Sequence, residues 1–154
     1  VEISGLNPES IQGDRVCAAL LKQLRTPGAV IDVSGCPDLG PVLFAVAAVK
    51  NGGRFTGTRR LRIKESDRVQ TMCEELARFG KKCIASENEL IVPEGPVGIP
   101  DSPLNGHNDH RIVMSMAVLA SVTGGTITGA EAVNKSYPDF FDVIENAGIK
   151  LVRE

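Results

Sequence analysis

The sequence holds no tryptophan, one tyrosine and only 4% aromatic residues. Proteins that bind single-stranded nucleic acid stack bases on aromatic rings, so this shortage argues against that class. Neither sign of charge is in excess: 17 Lys and Arg stand against 19 Asp and Glu, a formal net charge of −2. No global field therefore gathers nucleic acid or an anionic membrane. No apolar run approaches the roughly 18 residues that cross a bilayer. The opening, VEISGLNPES, has neither a methionine nor a basic stretch and is read as no secretory signal. It reads instead as the inside of a strand, so a piece of something longer is expected. The four cysteines, Cys17, Cys36, Cys73 and Cys83, form no CxxC pair and match no zinc spacing. Free thiols in a reducing, cytoplasmic compartment are the expectation, with Cys73 buried on an apolar helical stripe.

What is there suits a folded domain. The 154 residues are 42% hydrophobic and 23% charged, enough for one ordinary core. An internal repeat organises them. VLFAVAAVKNGGRFTGTRRLRIKESDRV and MSMAVLASVTGGTITGAEAVNKSYPDFF share an apolar helical run, a Gly pair (Gly52 and Gly53, Gly124 and Gly125), then x-[FI]-T-G, a Lys and a further helix. The opening ISG echoes FTG and ITG, giving one partial and two fuller copies. Gly-Gly suits a helix end, and RFTG and TITG suit strands. Val69, Met72, Cys73, Leu76 and Phe79 recur at steps of three and four, which predicts a helix ending at Gly80. KKCIASENELIVPEG reads as two short strands around a turn at Ser86 to Glu89. YPDFFDVIENAG reads as a last helix carrying Phe140, Val143, Ile144 and Ala147, and IKLVRE as a closing strand. The class is α/β (α+β), with helices covering sheet faces.

Charge gathers at four expected helix starts. In GCPDLGPVLF, Asp38 is spaced as an N-cap with Pro41 at N3, and spacing alone favours an ordinary cap over catalysis. RIKESDR puts five charges in seven residues. Lys64, Glu65 and Arg68 there make either a surface ion-pair network or an anion site. Cations at the positive end of a helix favour the second, because an anion satisfies both them and the free N–H groups. In NGHNDHR, Asn108 or Asp109 is a competent cap, and His110 and Arg111 enter the first turn. His107 and His110 lack the further ligands of a metal site, and a lone first-turn His is more often a local hydrogen-bonding group. NKSYPDFF sets Lys135 ahead of a Ser136 cap with Asp139 three residues on. Taken together, Lys64, Arg68, Arg111 and Lys135 suit an anionic ligand, with Asp38, Glu65 and His110 able to exchange protons.

PD before an early helix, RIKESDRVQTMCEELARFG, NDHR before a Met-rich helix and KSYPDFF, in this order along the chain, resemble the 5-enolpyruvylshikimate-3-phosphate synthases, and SIQGD near Gly13 also fits. The resemblance covers essentially the whole chain. It implies repeated βαβαββ units in an inside-out α/β barrel, with helices inside and sheets outside. On it, residues 1–27 end one unit, 28–97 form a second and 98–154 a third, in a partial carboxy-terminal domain whose amino-terminal partner domain lies elsewhere. It implies transfer of the enolpyruvyl group of phosphoenolpyruvate to the 5-hydroxyl of shikimate 3-phosphate, in the pathway to aromatic amino acids, with no metal or organic cofactor, no nucleic-acid partner and no membrane. By position, Glu65 would shuttle the proton at the methylene carbon. Asp38 would face the shikimate 5-hydroxyl, and Lys64 would bind shikimate 3-phosphate. Arg68, Arg111 and Lys135 would bind phosphoenolpyruvate, His110 would support its phosphate through water, and glyphosate would take the same place.

Two departures stand out. Arg60 occupies a position where many members carry a ligand-touching Asn. Between Leu24 and Ala29 only RTPG stands where many carry a β-hairpin. The remaining ligands belong to the other domain, so the chain alone is not expected to turn over. Two other readings differ in kind: a UDP-N-acetylglucosamine enolpyruvyl transferase, which lacks the Lys-Glu-Ser-Asp-Arg pattern, and a non-catalytic piece that binds anions or docks on a partner domain.

Overall fold

In the computed structural model, which describes residue 7 and residues 9–153, two stretches of chain run through nearly the same succession of elements, the first with an added 3-10 turn before its long helix. A 3-10 turn, Gly13–Val16, leads into α1 (Cys17–Gln23). The first stretch is β1 (Val30–Asp32), a 3-10 turn (Pro37–Leu39), α2 (Gly40–Val49), β2 (Gly53–Thr56), a 3-10 helix (Thr58–Ile63) and α3 (Arg68–Arg78). The hairpin strands β3 (Ile84–Ala85) and β4 (Glu89–Val92) follow. The second stretch is β5 (Leu104–Asn105), α4 (His110–Thr123), β6 (Ile127–Thr128), a 3-10 helix (Ala130–Lys135) and α5 (Phe140–Asn146).

The pairing repeats as well as the order. β1 lies parallel to β2, with Val30 opposite Arg54, and β5 lies parallel to β6, with Leu104 opposite Ile127. Each pair is joined across a long helix, as parallel strands require. β4 pairs antiparallel with β2 and β3, giving sheet order β1-β2-β4-β3. After β2 and after β6 the chain takes one left-handed step, at Gly57 (φ 73°) and Gly129 (φ 69°), into a six-residue 3-10 helix. A Cβ on Gly57 would also stand 2.3 Å from Asp32 Oδ1, so glycine is required there twice over.

α2 is apolar on every side, and seven of its ten residues are buried, as suits a helix enclosed by others. It packs on α3 and α4. Phe44 meets Phe55 of β2 edge to face, with ring centroids 4.7 Å apart. Val69, Met72, Leu76 and Phe79 are buried as their spacing predicts, whereas Cys73 is only half-buried. A smaller cluster of Val113, Ala117, Ala132, Val133 and Phe140 seats the second stretch. The strands around the Ser86–Glu89 turn form where expected.

Several expectations need correction. The last helix does not start from a Ser136 cap. Pro138 pushes the residue before it out of helical conformation, so α5 begins at Phe140 with Asp139 in the cap position and no side-chain cap bond. Val143 of that helix and Ala147, just past its end, are exposed. Residues 149–153 form no strand, and Arg153 instead pairs with Asp142 and Glu145 of α5. The strand expected at the opening ISG lies outside the described residues. The short Leu24–Ala29 connection folds as a turn closed by Thr26 N–H on the Gln23 carbonyl (3.0 Å) and tethered by Asn51, whose amide donates to the Leu24 and Arg25 carbonyls.

Candidate active site

Asp38 does not cap a helix. The 3-10 turn Pro37–Leu39 runs without a break into α2, whose preceding residue, Leu39, is already helical. No extended residue remains there to serve as a cap, so the carboxylate is free to face three cations. Its oxygens lie 3.2 Å from Lys64 Nζ, 2.9 Å from Arg68 Nη1 and 3.3 Å from Arg111 Nη2. Arg111 Nη1 also donates to the Asp38 carbonyl.

RIKESDR is not the first turn of a helix. The 3-10 helix ends at Ile63, and α3 begins at Arg68 with Asp67 as its cap. Asp67 accepts from the N–H groups of Val69 (3.1 Å) and Gln70 (3.0 Å), and it also pairs with Arg62. Lys64 and Glu65 therefore sit in the loop ahead of the helix, which aims them sideways toward Asp38 and α4. Glu65 nevertheless meets Arg68, at 2.6 Å.

Arg68 is the centre of the cluster. It is 1% exposed, yet it touches three carboxylates. Asp109 receives it bidentately, Nε on Oδ2 at 2.8 Å and Nη2 on Oδ1 at 3.2 Å. Asp109 is also the cap of α4, accepting from Arg111 N–H (2.9 Å), and it takes the Ser66 hydroxyl at 3.0 Å. One carboxylate thus fixes the start of α4 and locks it to the start of α3. Burial pushes the Asp109 carboxyl up, but the hydrogen bond and charge of Arg68 outweigh this and hold it below the usual carboxylate range. Asp38 follows the same logic: burial raises it, and Arg111, then Lys64 and Arg68, bring it below its ordinary value.

His110 enters α4 nearly buried, 8% exposed. Its Nδ1 has no hydrogen-bond partner and lies 4.0 Å from Glu65 Oε1. An unpartnered buried nitrogen beside a carboxylate and an arginine cluster suits a site that receives a polar ligand. Lys135 is exposed and reaches the same corner by another route, donating to the Asn108 carbonyl and side-chain oxygen at 2.6 Å each. His107 turns away from His110 and meets Glu75. Among the described residues no group of three His, Cys, Asp or Glu side chains could hold a metal.

All seven residues singled out in the sequence therefore lie at one corner. Asp38, Lys64, Glu65, Arg68, His110 and Arg111 are linked by contacts of 4.0 Å or less, and Lys135 joins through Asn108. Sequence reasoning missed Asp109 as an ion-pair partner, Ser66, and Glu75. The parallel between ESDR and NDHR, each an Asp cap followed by basic residues, is the signal that points to Asp109. The pairing across 41 residues is not written in a single sequence. Two surface hollows lie elsewhere, one lined by Val49, Val97, Ile99 and Val122, the other by Arg15, Leu20, Asp32 and Cys36. The charged corner is marked out by its chemistry, with Asp38, Lys64, Glu65 and Arg111 partly exposed around the buried Arg68.

The profile of the family described as EPSP synthase (3-phosphoshikimate 1-carboxyvinyltransferase) matches residues 1–144. The chain is 38% identical over 163 aligned positions to a 3-phosphoshikimate 1-carboxyvinyltransferase of Clostridium kluyveri, covering 94% of this chain and 38% of that protein. It is 36% identical over 158 positions to one of Halorubrum lacusprofundi, covering 100% of this chain and 35% of that protein. A solved EPSP synthase from Acinetobacter baumannii superposes with a TM-score of 0.61 at 33% identity, over 90% of this chain and 29% of that one. The chain thus spans well under half the length of the relatives it matches. The family match runs through both charged turns, and the chain belongs to the EPSP synthase family.

Proposed function

We propose that this chain supplies one face of the active site of a 3-phosphoshikimate 1-carboxyvinyltransferase. The reaction protonates phosphoenolpyruvate at its methylene carbon. The 5-hydroxyl of shikimate 3-phosphate adds to the adjacent carbon, phosphate leaves, and a proton is withdrawn to form the enol ether. Both substrates are phosphorylated carboxylic acids, and joining them demands concentrated positive charge beside a group that moves a proton.

The observation that carries the reading is the convergence of Lys64, Arg68 and Arg111 on Asp38, with Glu65 and the unpartnered His110 nitrogen alongside. Three cations are held ready by carboxylates that an anionic ligand can replace. Glu65, 42% exposed, is the group placed to meet the methylene carbon. Asp38 is held ionised by its cations, so it serves the 5-hydroxyl first as an acceptor that orients it. It becomes a stronger base once substrate anions neutralise those cations. Lys64 belongs to the shikimate 3-phosphate side. Arg111 and Lys135 belong to the phosphoenolpyruvate side, with His110 supporting its phosphate through water. Arg68 is buried, and it acts on phosphoenolpyruvate with the one N–H that its carboxylates leave. Neither a metal nor an organic cofactor is called for.

The other residues of the site would come from the amino-terminal domain that relatives possess. We place the units at 1–27, 28–97 and 98–154 of the second domain, and the compartment as the cytoplasm. Phosphate release by the full-length protein on mixing phosphoenolpyruvate with shikimate 3-phosphate tests the reading. Dependence on both substrates supports it. Release with UDP-N-acetylglucosamine instead, or with neither acceptor, overturns it. The 154-residue chain alone is expected to release none.

A further inference from the structure

Glu75 is a fully buried carboxylate that the reaction does not use. It sits on α3, two turns beyond the charged start of that helix, and its carboxylate points at the segment entering α4. Oε2 accepts the Asn105 N–H at 2.9 Å, and Oε1 lies 2.8 Å from His107 Nε2. Arg78 Nε stands 3.1 Å from Oε2 and balances the charge. Burying a carboxylate is costly unless it is paired and hydrogen-bonded, and this one is met on every side.

The segment it grips is strained. His107 (φ 49°) and Asn108 (φ 55°) are consecutive non-glycine residues with positive φ, a conformation that side chains other than glycine disfavour. Such a turn persists only where its surroundings over-determine it. Here they do: Asn105 Oδ1 accepts His107 N–H, the Gly106 carbonyl accepts Asp109 N–H, and Lys135 closes on Asn108. The turn delivers Asp109, His110 and Arg111, the anchor of Arg68 and two of the groups aimed at the ligand.

We propose that Glu75 is a positioning residue. By holding Asn105 and His107 from α3, it fixes the strained turn that sets Arg111 and His110 for the phosphorylated substrate. The inference rests on the anion-site reading above. α3 thereby grips the start of α4 twice: through Arg68 at its mouth and through Glu75 two turns in.

The test compares full-length wild-type protein with Glu75→Gln, His107→Ala and, as a control on the exposed side of α3, Glu74→Gln. Inorganic phosphate and phosphoenolpyruvate affinities are measured by titration, the KM for each substrate and kcat by phosphate release, and folding by thermal unfolding. Glu75→Gln is expected to weaken both anions about tenfold and to raise the phosphoenolpyruvate KM more than the shikimate 3-phosphate KM. His107→Ala, which leaves the Asn105 contact intact, is expected to shift the same quantities less, with Tm within about 5 °C of wild type. Glu74→Gln is expected to match wild type. Wild-type affinities in both Glu75→Gln and His107→Ala overturn the proposal, as does a loss that follows only the unfolded fraction. If Glu75→Gln does not fold, His107→Ala decides alone. Wild type that binds the anions without turnover defeats the enolpyruvyl-transfer reading and leaves this comparison intact. Wild type that binds neither anion defeats both.

Discussion

Arg68 and Asp109 form a two-point ion pair, 2.8 and 3.2 Å long, that joins the starts of two helices and is sealed from solvent, at 1% and 0% side-chain exposure. Charges so deeply desolvated stabilise only when all their partners are in place, and removing one leaves the other stranded. Asp109→Ala takes away the partner of Arg68, the acceptor for Ser66 and the cap of α4 together. A loss of about 3–5 kcal/mol in unfolding free energy is expected by urea titration. A loss under about 1 kcal/mol would show that the pair does not tie the helices together.

Acid should unlock the same corner. Asp38 and Asp109 both titrate below their ordinary range in the folded protein. Their unfolded counterparts titrate near 3.9, so the unfolded chain binds protons more readily there. The stability these two groups contribute is complete above that value and is lost as pH falls through their lower folded values. Unfolding free energy measured from pH 6 to pH 2 is expected to fall below about pH 4, and Asp109→Asn to flatten that limb. An unchanged slope in the variant contradicts the assignment.

Asp38 competes with any anion for Lys64, Arg68 and Arg111. Asp38→Asn removes the competing charge and keeps the shape. Phosphate and phosphoenolpyruvate are expected to bind roughly two- to tenfold more tightly to this variant. Turnover by the full-length enzyme is expected to fall about a hundredfold or more. Weaker anion binding together with undiminished turnover would remove Asp38 from the site.

The same competition predicts proton uptake. On the proposed reading, substrate phosphate and carboxylate groups would draw the cations off Asp38, and its folded pKa would climb back toward the ordinary value. Calorimetric titration of the full-length protein near pH 4, repeated in buffers of different ionisation enthalpy, is expected to show fewer protons released on binding shikimate 3-phosphate and phosphoenolpyruvate in the wild type than in Asp38→Asn, the difference being the protons that Asp38 takes up. An equal count in the two proteins contradicts this.

Much of the fold was legible in the sequence because it rests on periodicity. The stripe Val69, Met72, Leu76 and Phe79, the apolar run of α2 and the x-[FI]-T-G repeats translate directly into buried faces and parallel strands. Boundaries were less legible. Spacing gave Asp38 to a cap, but a 3-10 turn flowing into α2 left no cap position. Spacing gave Ser136 to α5, but Pro138 delayed that helix. The candidate site was legible as a set of residues because charge crowds into RIKESDR and NDHR, although of its cations only Arg68 and Arg111 stand in the first turn of an α-helix. Its internal wiring was not. Arg68 with Asp109 and Glu75 with His107 join residues far apart in the chain, and no local pattern encodes such pairs.

The central claim is that Lys64 and Arg111 are held on Asp38 until a phosphorylated carboxylic acid takes them. A crystal structure of the full-length protein with phosphoenolpyruvate and shikimate 3-phosphate measures this directly. The account predicts substrate oxygens within hydrogen-bond distance of Lys64, Arg111 and Lys135, Glu65 beside the methylene carbon, and Lys64 and Arg111 further from Asp38 than the present 3.2 and 3.3 Å. Substrates bound at another face, with both cations still on Asp38, would contradict it.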